Sequence, residues 1–157
     1  MKKLLILIFT IIMSQFLIGC SVNKNVEFKE FFSQVVGFSE NDKKSEPIQQ
    51  DIILMLTNDD FQKFKDEYFT PRKIPMESPD KEKAVLFLQI PSQTSSVDSY
   101  SVESINISGN TLTVNLKKSG GYEVDGISGF NGSWKLVKLI EVDKTNLKDN
   151  MKIVVNK

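Results

Sequence analysis

The sequence predicts an α+β fold: a mainly antiparallel β-sheet, or a sandwich-like domain, carrying one short amphipathic helix. Three observations lead there. Short apolar runs are separated by turn-forming residues, a two-residue turn joins two alternating segments, and a single segment carries helix-capping signals. Strands and helices do not alternate along the chain, which sets aside a parallel, doubly wound sheet.

Residues 21–25 are polar and read as a tether. Residues 26–38 hold Phe28, Phe31, Phe32 and Phe38 with Val35 and Val36. Their period fits a strand or a short helix and does not choose between them. Residues 41–50 are charged, contain Pro47 and form a loop. Residues 52–56 (IILML) are uninterrupted apolar residues, the pattern of a strand buried on both faces. A helix follows from about Asn58 to Phe69. Thr57 and Asp60 have the spacing of an N-terminal cap, and Leu56 and Phe61 occupy the hydrophobic-staple positions. Phe61, Phe64 and Tyr68 fall on one stripe, read as core, opposite Gln62, Lys63, Lys65, Asp66 and Glu67. Pro71 ends the helix.

Pro75 and Pro79 make residues 72–83 a loop, and residues 84–90 (AVLFLQI) a second buried strand. Residues 91–98 are a Ser-rich loop. Gly109 and Asn110 then form a two-residue turn of the primed type, which sets Ile107 against Leu112 and Ile105 against Val114. That register would bring Leu116 to Glu103, whereas the apolar residues on the first strand are Val102 and Tyr100. A bulge near Glu103 and Ser104 restores one apolar face. Residues 120–132, with five glycines, read as a long loop, residues 134–142 as a strand and residues 153–155 as a last short strand. The total is six or seven strands and one helix.

The chain opens Met1-Lys2-Lys3, continues in a nearly all-apolar run from Leu4 to Ile18, and reaches its only cysteine at Leu17-Ile18-Gly19-Cys20. Basic start, apolar stretch and small residue are the layout of a secretory signal, and the run is shorter than the ~20 apolar residues of a membrane-spanning helix. The end of the run resembles the bacterial lipobox. The resemblance implies processing before Cys20, a diacylglyceryl thioether on its sulfur and a further acyl chain such as palmitate. It places the protein at the cell membrane, lipid-anchored on the extracytoplasmic face, because two or more acyl chains give stable anchoring. The chain divides into a signal peptide (1–19), a lipidated N-terminus with tether and first apolar segment (20–47), and a single β-rich domain (48–157) that folds without a disulfide.

Processing leaves 18 basic and 20 acidic residues, a balance that argues against a nucleic-acid partner. Arg72 is the only arginine, so bidentate phosphate clamps are scarce. Histidine is absent, which removes Ser-His-Asp and Cys-His catalysis and the common zinc and haem ligations. A carboxylate or Ser-Lys enzyme would need a motif that the chain does not display. Glu123-Val124-Asp125-Gly126 has only a fragment of a calcium-loop pattern and reads as a polar turn. The sequence therefore leads to no enzyme, no metal and no cofactor beyond the acyl groups on Cys20.

The order of elements carries a family resemblance. The segments IILMLTNDDFQKFKDEYF, PMESPDKEKAVLFLQIPS, DSYSVESINISGNTLTVNL and WKLVKLIEV resemble, over residues 48–143, the PrcB-like lipoproteins that stabilise protease complexes. Pro79-Asp80-Lys81 matches the family's aspartate-lysine segment before the apolar strand. Of the family's Gly-Gly-Tyr before the hairpin only Tyr100 is present, with Asp98-Ser99 in place of the glycines, and Ser133-Trp134 stands where the family has a proline. The resemblance implies a non-enzymatic, surface-tethered protein that binds and stabilises an extracellular protein, a protease complex among the candidates. Recognition is expected in loops, residues 91–100 and 120–132, with Asp98, Tyr100, Tyr122 and Phe130 as the protein-binding candidates. The alternative is an extracytoplasmic solute- or glycan-binding lipoprotein, which loop aromatics such as Tyr122 and Phe130 beside glycines would suit.

Overall fold

The computed structural model describes residues 23–39, 51–70, 73–91, 96–123 and 132–157. The elements are β1 (Lys24–Asn25), β2 (Phe28–Ser39), β3 (Ile52–Met55), α1 (Asn58–Tyr68), β4 (Ala84–Pro91), β5 (Ser96–Ser108), β6 (Thr111–Glu123), β7 (Gly132–Val142) and β8 (Lys152–Asn156). They build two four-stranded sheets, β1-β5-β6-β8 and β2-β7-β4-β3, with every pair antiparallel except β6 and β8. The α+β, sandwich-like expectation describes this architecture. Eight strands among the described residues slightly exceed the expected number, because the pair at β1 is only two residues long.

Three layers follow from the two-residue period of β4, in which every residue from Ala84 to Ile90 is buried. Leu86, Leu88 and Ile90 face the first sheet and meet Ile105, Ile107, Leu112, Val114 and Leu116. Val85 and Phe87 face the other way, onto Phe61, Phe64, Tyr68 and Phe69 of the helix layer. A strand covered on both sides needs no polar alternation, which is why AVLFLQI reads as one apolar run. The run at β3 looks the same in sequence but forms the edge of its sheet, and only Met55 is buried there. Both of its faces are packed, Ile52 and Leu54 on the core between the sheets and Ile53 and Met55 on the helix side, with burial partial at the first three.

The helix forms where its caps place it. Thr57 is the N-cap and its hydroxyl accepts a hydrogen bond from the Asp60 backbone N–H at 3.1 Å. Phe61, Phe64 and Tyr68 are buried, with Phe64 stacked on Tyr68 and packed against Phe87 at ring-centroid distances of 5.4 and 4.7 Å. The Tyr68 hydroxyl donates to Gln89 Oε1 at 3.3 Å, which gives a buried polar tip a partner.

The undecided segment at residues 26–38 is strand β2, paired with β7 along its length. Its register jumps between Glu30 and Phe32. The extra residue lets both Phe31 and Phe32 pack on the helix side, while Glu30 and Ser33 reach the opposite side. The β5–β6 hairpin has the expected pairs Ile107–Leu112 and Ile105–Val114, and a bulge between Val102 and Ser104 that brings Val102 to Leu116. Gly109 has φ +59° and Asn110 does not turn positive, the II′ form of the two-residue turn.

Two expected loops are shorter than the sequence suggested. β5 begins at Ser96 and β6 runs on to Glu123, so residues 96–100 and 120–123 are paired strand. Glycines 120 and 121 were the misleading signal. Gly120 has φ +152°, a conformation rare for other residues, next to a second register shift between Ser99 and Tyr100. The glycines serve a distorted ladder rather than a connection.

Candidate functional site

β8 pairs with β6 only from Thr111 to Asn115. Beyond that point β5 and β6 continue as a two-stranded arm, Ser96 to Val102 against Leu116 to Glu123. The arm gathers three of the four protein-binding candidates. Val97 is paired with Tyr122, Asp98 with Gly121 and Tyr100 with Lys118. Tyr122 is described by its backbone position, and Phe130 lies outside the described residues, as does Cys20.

Asp98, Tyr100 and Lys118 form one cluster. Lys118 Nζ is 2.7 Å from Asp98 Oδ1, and the Tyr100 hydroxyl donates to Asp98 Oδ2 at 3.4 Å. The Tyr100 ring packs against the core between the sheets, so the polar groups cap that core at its open end. The Lys118 hydrogen bond holds the Asp98 carboxyl below the usual carboxylate range, and the same bond raises Lys118. Lys118 was not singled out from sequence. Its place opposite Tyr100 follows from the bulge between Val102 and Ser104, and its contact with Asp98 spans the second register shift, between Ser99 and Tyr100. Ser99 and Ser119 share a hydrogen bond of 3.2 Å across the same ladder.

An apolar cleft of about 220 Å³ opens where β8 ends. Ile52, Leu88, Ile90 and Val155 give it apolar walls, and Asp51, Gln89 and Lys157 are among its polar lining residues. Lys157 also acts electrostatically on Asp98, which ties the cleft to the arm.

A second constellation was legible only as a lysine inside an apolar strand. Lys138 is 2% exposed. Its ammonium donates to both carboxylate oxygens of Glu30, at 2.8 and 2.9 Å, and to Ser33 Oγ at 2.8 Å. All three donors are satisfied, the condition under which a buried cation is tolerated. The Ser33 hydroxyl oxygen serves as the acceptor of the third hydrogen bond. The arrangement links the edge strand β2 to β7 and is not that of an activated serine.

Pro79-Asp80-Lys81 has a structural part. The Asp80 side chain accepts from the Glu82 N–H, the Asp80 N–H donates to Glu141, and Lys144 Nζ reaches the Lys81 carbonyl. Nearby, Lys83 and Asp143 pair at 3.1 Å. These contacts pin the turn before β4 to the end of β7.

Among the described residues no helix is long and apolar enough to cross a membrane, and no group of three or more His, Cys, Asp or Glu side chains is placed to hold a metal ion. Comparison of the chain with family models, curated proteins and solved structures returns no match.

Proposed function

We propose that this protein is a lipid-anchored, extracytoplasmic binding module that holds and stabilises another protein at the outer face of the cell membrane, without catalysis. The observation that carries the reading is the position of the only cysteine, at the end of a basic and then apolar leader in Leu17-Ile18-Gly19-Cys20. Acylation there would consume the one thiol, and the chain has no histidine to serve as base or ligand. The β5–β6 arm supports a binding role, since it extends past its neighbouring strand and carries a charged and aromatic cluster. The resemblance over residues 48–143 favours a secreted protease complex as the partner.

The test uses the full-length protein in native membranes. Cross-linking followed by isolation should recover a specific extracytoplasmic protein, and the same preparation should hydrolyse no peptide, ester or glycoside substrate above background. Turnover abolished by a single carboxylate substitution would replace this reading with an enzymatic one. Retention of a glycan in place of a protein would replace it with the solute-binding alternative.

A further inference from the structure

We infer that the free edge of β6, from Leu116 to Gly121, takes an extended acidic segment of the partner as an added strand, with one large apolar side chain of that segment seated in the cleft beside Val155. This rests on the protein-binding reading and names the surface and the chemistry it selects.

Three separate features converge there. The first is backbone. Among the described residues β6 has β5 on one side throughout, but its other side is paired only to Asn115, where β8 ends. The next residues present unpaired strand backbone, the template for strand addition. The second is shape. The apolar cleft is lined by Val155 and Lys157, the residues flanking the Asn115–Asn156 pair, so a chain continuing the line of β8 starts at its mouth. Ile52, Leu88 and Ile90 complete walls suited to a leucine-sized group.

The third is charge. Lys117 is exposed on the edge segment, and Lys157 stands one residue past the last β6–β8 pair. Two acidic groups near this end are engaged within the protein. Asp98 is bound by Lys118 and Tyr100, and Asp51 accepts from Gln89 Nε2 at 3.2 Å. A second copy pairing edge to edge would bring the two Lys117-Lys118 segments together. Lysines and a bulge on an edge discourage such self-pairing, and here they favour a strand of opposite charge.

The probe is a fluorescein-labelled ten-residue peptide, leucine followed by alternating glutamate and valine, titrated by anisotropy against the full-length protein in detergent micelles, with empty micelles subtracted. It should bind saturably. A peptide with lysine for every glutamate, and one N-methylated at alternate backbone positions, should each bind at least tenfold more weakly. Raising salt from about 0.05 to about 0.5 M should weaken the acidic peptide, because exposed charges are screened over a Debye length of about 10 Å at 0.1 M. The double variant Lys117→Glu/Lys157→Glu should invert the charge preference, and Val155→Phe should weaken the acidic peptide by filling the cleft. Equal binding of acidic and basic peptides, or no binding by either, overturns the inference. If a partner still co-sediments equally with the wild type and the double variant, the binding reading stands and this edge is not its site. If the peptide preference appears while no extracytoplasmic protein is recovered from membranes, the edge stands as a peptide site and the partner-stabilising reading fails.

Discussion

Replacing Glu30 by glutamine should cost far more stability than replacing the buried Lys138 by methionine. Lys138 is 2% exposed and places all three ammonium donors on Glu30 and Ser33. Glu30→Gln keeps the size of the side chain and removes the counter-charge, so a desolvated cation is left with neutral acceptors. Breaking a fully buried pair in this way costs about 3–5 kcal/mol. The Glu30 side chain retains 30% of its exposure, so water can approach the ammonium, and about 2–3 kcal/mol is the appropriate value here. Lys138→Met removes the buried charge and keeps an unbranched stem against the core, while Glu30 can turn to solvent. The cost should be within about 1 kcal/mol of zero, since the lost pair and the recovered desolvation nearly cancel. In the double variant most of the Glu30→Gln penalty should vanish. Urea unfolding followed by Trp134, the only tryptophan and one packed against the core between the sheets, reads all four proteins at once. If Lys138→Met destabilises as much as Glu30→Gln, or the double variant sums the two costs, the lysine contributes net stabilisation and the desolvation argument is wrong.

Phe61 is fully buried beneath the helix, so Phe61→Ala should cost about 3–5 kcal/mol in the same assay, whereas Thr57→Ala, which removes only the cap, should cost about 1 kcal/mol. Asp143 is held down to about 2 by the Thr145 hydroxyl and N–H and by Lys83. A folded-state pKa below the unfolded value of about 3.9 gives stability that is present above that value and lost as pH falls toward 2. Asp143→Asn should therefore flatten the fall of the urea midpoint between about pH 5 and 2, and an unchanged acid limb would show that the carboxylate is not held as described.

Much of the fold was legible because its signals are local. The Thr57 cap and the Phe61, Phe64, Tyr68 stripe specify α1 without reference to the rest of the chain. The hairpin register follows from Gly109-Asn110, and the parity slip at Glu103 could be read because the core face must stay apolar. What was not legible depends on neighbours. The runs at β3 and β4 look alike, yet one is an edge and the other central, a difference set by long-range pairing. The bulge that turns both Phe31 and Phe32 to the helix and brings Glu30 under Lys138 needs β7 as a reference. Gly120 and Gly121 resemble loop residues because glycine marks strained strand and open connection alike. At the candidate site, Asp98 was named from sequence but placed in a loop, and its contact with Lys118 spans the second register shift, between Ser99 and Tyr100, which no local pattern marks.

The claim that this protein tethers a partner by its own lipid is tested most directly by one fractionation. Cells carrying the wild type and Cys20→Ser are labelled with radioactive palmitate, separated into membrane and soluble fractions, and the extracytoplasmic proteins of each fraction are quantified. The wild type should incorporate label and hold at least one secreted protein in the membrane fraction. In Cys20→Ser the label should be lost, and that same protein should move with the variant into the soluble fraction or fall in abundance. A labelled Cys20→Ser protein, or a membrane-associated set of secreted proteins identical in the two strains, would contradict the account.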